Sequence, residues 1–100
     1  MKNIVLLCAQ GMSTGMLVNK MRQVAQKYNY ECTINAYPVG QAKQFNDSAD
    51  CILLGPQVSY ELENVRKDCP SVPVMVIDRV AYGRLDGFKV LKAAKQLMGE

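Results

Sequence analysis

The sequence contains no histidine, and none of its four cysteines is spaced as a C-x-x-C pair. Because zinc sites are built mainly from cysteine and histidine at short spacings, both absences argue against a zinc centre, and we expect neither a metal nor another cofactor. The cysteines at positions 8, 32, 51 and 69 are widely spaced. We expect them to be reduced, as is usual for cytosolic proteins.

Runs of basic residues and long apolar segments are also absent. Lysine and arginine are scattered and the formal net charge is only +3, so nucleic acid is not indicated as a partner. The apolar run at residues 4–7 is too short for a signal-peptide core or a membrane-spanning helix, which predicts a cytoplasmic protein without membrane insertion. The 100 residues, 49% of them apolar, are enough for a single domain over residues 1–100, which we expect to be a monomer on its own.

Apolar patterning predicts alternating strands and helices. Strands are expected at residues 3–8, 31–37, 50–54 and 74–77, and helices at 14–28, 57–67 and 86–98, with a short helix at 41–46 and a loop at 78–83. Strands separated by helices pair in parallel through right-handed crossovers. The predicted fold is therefore α/β, a three-layer sandwich with a four-stranded parallel sheet of order 2-1-3-4. This is a truncated flavodoxin-like sheet, similar to that of low-molecular-weight tyrosine phosphatase.

Cys8 stands where the first strand should end and a small-residue loop should lead into a helix. The free amides and the dipole of a helix start attract anions, and the same groups stabilise a thiolate. We therefore expect Cys8 to be a nucleophile at a phosphate site and the most accessible of the four thiols. Ligands of such sheets bind beyond the carboxyl ends of the strands. Gly55 and Asp78 should lie at that same edge.

The loop after Cys8 excludes several common phosphate chemistries. It has neither G-x-G-x-x-G nor G-K-[ST], so no nucleotide loop is present. In low-molecular-weight tyrosine phosphatases the loop ends in an arginine that clamps phosphate, but here Thr14 occupies that place. No cationic residue lies between Lys2 and Lys20. Hydrolysis should therefore be poor, which favours a carrier that holds a phosphoryl group on sulfur.

The segment from Cys8 to Thr14 resembles the active loop of the enzyme IIB component of the bacterial phosphoenolpyruvate-dependent sugar phosphotransferase system, in its lactose/cellobiose/chitobiose family. Nearly the whole chain shares the resemblance, including residues 53–57, Tyr60, Asp78 and residues 82–83, 86–87 and 90–94. The resemblance implies that Cys8 takes a phosphoryl group from a phosphohistidine on a IIA partner. Cys8 would then pass it to a sugar, a β-linked disaccharide such as cellobiose, chitobiose or lactose, bound by a IIC membrane permease.

Backbone amides can hold the phosphoryl group without a fixed cation, and Gly11 would let the backbone turn closely. The hydroxyls of Ser13 and Thr14 either donate to phosphate or cap the helix. The expected phosphate-binding loop comprises Ala9, Gln10, Gly11, Met12, Ser13, Thr14 and Gly15. Met12 would lie near the centre of an apolar docking surface, with Lys20 and Arg22 outside it.

Further residues have a supporting role or a purely structural one. Gly55 and Pro56 favour a strand-to-helix turn, and Gln57 either reaches the phosphate or caps the next helix. Asp78 is expected to accept hydrogen bonds from loop amides, while Tyr82 and Tyr60 are expected to pack. Two alternative functions stay open: a regulatory phosphosensor on the same fold and, less favoured, a low-molecular-weight phosphatase. The sugar itself is not encoded here, since its pocket would lie in the permease.

Overall fold

The computed structural model describes residues 1–9 and 12–100, with the backbone alone for Met12 and Ser13. Its sheet has four parallel strands in the order β2-β1-β3-β4, which confirms the predicted fold class and strand order. The strands are β1 (Lys2–Cys8), β2 (Cys32–Pro38), β3 (Cys51–Leu54) and β4 (Val74–Val76).

Helices cover both faces of the sheet. They are α1 (Met12–Lys27), α2 (Leu62–Asp68), α3 (Arg79–Gly83) and α4 (Gly87–Leu97), and two 3₁₀ helices span Val39–Phe45 and Pro56–Glu61. Residues of α1, α3 and α4 share one buried cluster, and residues of α2 and the 3₁₀ helices share another. No helix in the described part of the chain has both the length and the apolar character needed to cross a membrane.

The central strands are apolar because both of their faces are covered. Ile4 and Leu6 of β1 belong to the cluster under α1 and α4, whereas Val5 and Leu7 belong to the opposite cluster. Successive side chains of a strand point to opposite faces, so an uninterrupted apolar run is the pattern of a strand buried on both sides. The edge strand β2 alternates instead, and among its side chains only Ile34 is fully buried.

Two predictions about local structure are wrong. Residues 57–67 do not form one helix, because Val58 adopts φ −117° and ψ 25° inside the 3₁₀ segment before α2 begins. Residues 78–83 are not a loop but the capped helix α3, since the Asp78 carboxylate accepts a hydrogen bond from the Ala81 amide and satisfies a free donor of the first turn. The short helix predicted at residues 41–46 is a 3₁₀ helix that starts earlier, at Val39.

Candidate functional site

The carboxyl ends of the strands converge at one edge, as the sequence predicted. Cys8 ends β1 opposite Pro38 of β2, and the amide of Gly55 donates to the Leu7 carbonyl oxygen at 2.9 Å. One strand further, the amide of Ile77 donates to the Leu54 carbonyl oxygen at 2.8 Å. These bonds place Cys8, Gly55 and Asp78 side by side at the edge where open parallel sheets bind ligands.

Cys8 is buried, with 3% of its surface exposed, and its Sγ lies 3.6 Å from the Tyr37 carbonyl oxygen of β2. The expectation that Cys8 is the most accessible thiol is therefore wrong, because Cys32 is the only one of the four that is not fully buried. Strand alternation explains the burial, since it directs Cys8 to the face of the sheet that α1 covers. A reagent must reach Sγ from the carboxyl edge of the sheet.

Part of the predicted phosphate-binding loop lies outside the described residues. Gln10 and Gly11 are undescribed, as are the side chains of Met12 and Ser13, so the roles predicted for them stay predictions. Ala9 is exposed, and Gly15 is half-buried with open space where a Cβ would stand. The helix after the loop begins at Met12, two residues before the predicted start.

Thr14 and Tyr82 form a hydrogen bond that the sequence did not reveal. Their hydroxyl oxygens are 2.8 Å apart, and the two residues are only 1% and 8% exposed. Thr14 lies inside the first turn of α1 rather than before it, so of its two considered roles the capping one is not observed, and its hydroxyl links α1 to α3. Tyr82 belongs to the buried cluster under α1 and α4, which confirms its predicted packing role. A separation of 68 residues leaves no sequence signal for this pair.

Gly55 is closely surrounded at the end of β3. A Cβ added to it would lie 3.2 Å from the Gln57 Oε1 atom and 3.8 Å from Cε2 of Tyr82. The Gly55–Pro56 pair makes the predicted turn from β3 into the 3₁₀ helix, and no side chain caps that helix, so the capping role considered for Gln57 is not observed. Tyr60 is 76% exposed, and its predicted packing role is therefore wrong.

Asp78 has the structural role that the sequence favoured. Its Oδ2 atom accepts from the Ala81 amide at 2.9 Å and lies 3.9 Å from Nζ of Lys89. Both side chains of this ion pair are largely exposed, so the pair itself adds little stability. By capping α3, Asp78 fixes the start of the helix that carries Tyr82.

The other three cysteines are poorly suited to nucleophilic chemistry. Burial raises the pKa of the Cys51 thiol to about 12, and burial also raises the pKa values of Cys32 and Cys69. These thiols stay protonated at neutral pH, and the thiol is a much weaker nucleophile than the thiolate. None of the three stands at the carboxyl edge before a helix. In the part of the chain that the structure describes, no group of three or more Cys, Asp or Glu side chains could hold a metal ion.

Arg22, which the sequence predicts to stand outside the docking surface around Cys8, is hydrogen-bonded to β2. Arg22 donates from Nε and Nη2 to the Ile34 carbonyl oxygen at 3.0 and 2.6 Å, and from Nη2 to Oδ1 of Asn35 at 2.7 Å. Its guanidinium therefore fastens α1 to the edge strand.

Known proteins resemble this chain over nearly its full length. The family model described as the lactose/cellobiose-specific IIB subunit of the PTS system matches residues 3–93. The oligo-beta-mannoside-specific EIIB component of Bacillus subtilis is 41% identical, and the alignment covers 98% of this chain and 97% of that protein.

Two solved structures share the fold. The solution structure of the cellobiose-specific phosphotransferase IIB component from Borrelia burgdorferi has a TM-score of 0.82 and 32% identity, covering 98% of this chain and 92% of that one. The lactose-specific IIB component domain from Streptococcus pneumoniae has a TM-score of 0.84 at 19% identity, covering 95% of both chains, and so supports the fold alone. Taken with the family match, these likenesses show that the chain belongs to the lactose/cellobiose-specific IIB family of the phosphotransferase system.

Proposed function

We propose that this chain is a phosphoryl carrier that uses Cys8 as its phosphorylated residue. The position of Cys8 carries the proposal: of the four cysteines, it alone stands at the carboxyl edge of the sheet, four residues before α1 begins. Free amides at a helix start bind anions, and the helix dipole favours negative charge there. Burial raises the pKa values of Cys32, Cys51 and Cys69, which argues against each of those thiols as the phosphorylated residue.

The proposed reaction has two in-line transfers. In the first, the Cys8 thiolate attacks the phosphorus of a phosphohistidine on a IIA partner, the N–P bond breaks, and the imidazole leaves as an S–P bond forms. In the second, a sugar hydroxyl attacks the same phosphorus and releases its proton to water as the O–P bond forms. The S–P bond then breaks and the thiolate is restored. Such transfers need position and charge stabilisation more than further covalent chemistry.

Two features of the site support a carrier over a hydrolase. Cys8 is only 3% exposed, so an acceptor must approach its sulfur from the carboxyl edge of the sheet, where a docked partner would also exclude water. The chain also has no cation between Lys2 and Lys20, so it lacks the clamp arginine that would stabilise hydrolysis from this loop. A phosphoryl group would therefore persist on sulfur until an acceptor arrives.

The acceptor that fits best is a β-linked oligosaccharide held by a IIC permease. The family and the relative named for oligo-beta-mannosides support this choice. The choice of sugar would be made in the permease, and this chain would supply the phosphoryl group.

Phosphoryl mapping tests the proposal. The protein is incubated with phosphoenolpyruvate, the general phosphotransfer proteins and a IIA component, and the label is located by mass spectrometry under neutral conditions. We expect one phosphoryl group, on Cys8, and none in Cys8→Ser. Cys32→Ser is the matched control and should be labelled like the wild type. A label on another residue, or one that persists in Cys8→Ser, would refute the proposal.

A further inference from the structure

An open groove of about 480 Å³ runs between α1 and α4. Val24 and Leu91 contribute apolar surface to its lining, and Tyr28 and Phe88 stand beside them. Tyr28 is 60% exposed and Phe88 is 51% exposed, although their rings contact each other with centroids 6.0 Å apart. Large apolar side chains that stay exposed together around a concave surface are typical of a binding site.

The two helices beside the groove carry positive charge alone. The ranges Met12–Lys27 and Gly87–Leu97 contain no aspartate or glutamate. Lys92 and Lys95 line the groove itself. The basic residues of the two helices are Lys20, Arg22, Lys27, Lys89, Lys92 and Lys95.

The one carboxylate in the groove lining is already paired. Glu100 accepts a hydrogen bond from the Tyr30 hydroxyl at 2.8 Å and lies 3.7 Å from Nζ of Lys2. Lys95 in turn lies over the Tyr30 ring, with Nζ 4.6 Å from its centroid. Glu100 therefore offsets little of the positive charge that Lys92 presents to an approaching partner.

The groove lies toward the opposite end of the sheet from Cys8. Tyr30 and Glu100 sit beside the start of β2 and the start of β1, as the Lys2–Cys32 pairing and the Lys2–Glu100 contact show. Cys8 ends β1, and a seven-residue strand is about 20 Å long. The groove and Cys8 are therefore separate parts of the surface.

We propose that this groove binds an amphipathic segment of a protein partner whose apolar face is flanked by carboxylates. A concave surface between two helices is filled by inserted side chains, whereas a flat bilayer would touch only its rims. The absence of acidic residues along both helices makes an acidic segment complementary. A second copy of this chain would bring lysines against lysines, so self-association through this face is disfavoured.

The test uses a synthetic helical peptide of repeated Glu-Leu-Leu-Glu-Glu-Leu-Leu heptads, titrated into isotope-labelled protein while amide chemical shifts are followed. We expect shift changes at Tyr28, Phe88, Leu91 and Lys95, with the amide of Ala9 unaffected. The same peptide with lysine in place of glutamate should not bind. In Lys92→Glu/Lys95→Glu, affinity for the acidic peptide should fall roughly tenfold, because two ion pairs are replaced by repulsion.

A matched variant separates a specific groove from general charge attraction. Lys43→Glu/Lys67→Glu changes the net charge equally at residues that line a different hollow, beside Asp68, and should bind the peptide as the wild type does. An equal loss of affinity for the acidic peptide in both double variants would overturn the proposal. Amide chemical-shift changes centred on another surface would also overturn it. Binding to anionic phosphatidylglycerol vesicles through Tyr28 and Phe88 without peptide binding would assign the face to a membrane. A dimer that buries these residues, detected by sedimentation, would assign it to self-association.

Discussion

Two buried hydroxyl groups connect the residues around Cys8. Thr14 stands in the first turn of α1 and Tyr82 in α3, and their oxygens are 2.8 Å apart in a nearly solvent-free environment. A buried hydrogen bond contributes modestly when present, but an unsatisfied partner costs more because its desolvation is uncompensated. The pair therefore fixes the distance between the helix that follows the loop and the helix that Asp78 caps.

A double-mutant cycle tests this coupling. We expect Thr14→Val and Tyr82→Phe each to lower the free energy of unfolding by about 1–2 kcal/mol, and the double variant to lose less than the sum. Urea unfolding of the wild type, the two single variants and the double variant measures these free energies. Phosphoryl uptake by Cys8 should slow in the single variants, because the start of α1 is then less firmly held. Strictly additive losses would show that the two hydroxyls do not depend on each other.

Cys51 should make the protein sensitive to alkaline pH. Its pKa of about 12 when folded exceeds the ordinary 9.0, so between these values the folded state keeps a proton that the unfolded chain has lost. The free energy of unfolding therefore falls as pH rises through this window, by up to about 1.4 kcal/mol per pH unit from this group. Tyr30, whose pKa is also raised by burial, acts in the same direction.

Urea unfolding of Cys51→Ala between pH 8 and 11, under reducing conditions, checks this prediction. The variant is expected to lose stability with pH less steeply than the wild type. Val58→Ala, a substitution at another buried site that does not titrate, should keep the wild-type slope. If the free energy of unfolding falls with pH equally in Cys51→Ala and in the wild type, Cys51 does not cause the alkaline loss of stability.

At the scale of elements, α1 and α4 approach each other so closely that only glycine fits at the start of α4. A Cβ on Gly87 would stand 2.6 Å from the Lys20 carbonyl carbon and 2.7 Å from the Met21 nitrogen, both backbone atoms. We expect Gly87→Ala to destabilise the protein by about 1–3 kcal/mol or more, since α4 must move away. Gly83→Ala in α3, where an added Cβ would meet no atom within 4 Å beyond its chain neighbours and its own helix backbone, should change stability by less than about 1 kcal/mol. Thermal unfolding compares them, and similar effects at both glycines would contradict the proposed close contact.

Elements with strong apolar periodicity were the predictable ones. The sequence placed β1 and β3 within two residues because continuous apolar runs mark strands covered on both sides, and it found α4 because Val90, Leu91 and Ala94 repeat at helical spacing. It missed α3, whose five residues are too short for a period to show, and the break at Val58, a buried residue with non-helical backbone angles.

The sequence predicted those parts of the candidate site that depend only on the order of strands and loops along the chain. Cys8, Gly55 and Asp78 follow three strands of a parallel sheet, so topology alone brings them to one edge. The burial of Cys8 and the contact between Thr14 and Tyr82 depend on how α1 and α3 are seated on that edge. Sequence spacing carries no information on such contacts between distant segments.

At the scale of the whole molecule, the absence of an arginine from the loop that follows Cys8 separates a carrier from a hydrolase. We expect little turnover of aryl phosphates, far below the roughly 10 s⁻¹ typical of enzymes, together with stoichiometric phosphoryl uptake. Release of aryl alcohol measured by absorbance, beside the labelling described above, provides both values. Steady turnover at the typical rate, abolished in Cys8→Ser, would instead favour the low-molecular-weight phosphatase.

The last prediction concerns the separation of the two ends of α1. Met16 is 58% exposed in the second turn after the loop, and Tyr28 is 60% exposed just beyond the other end of the helix. Twelve residues of helix separate them by about 18 Å.

If partners dock around Cys8 through a small apolar surface, Met16→Asp should slow transfer from phosphorylated IIA by on the order of tenfold or more. The substitution removes an apolar contact and adds negative charge near the phosphoryl group. Tyr28→Asp makes the same change in charge at similar exposure and should leave transfer unchanged. Rapid-quench kinetics of phosphoryl transfer, with circular dichroism to confirm folding, measures both variants, and equal rates for the two would exclude this end of α1 from the docking surface.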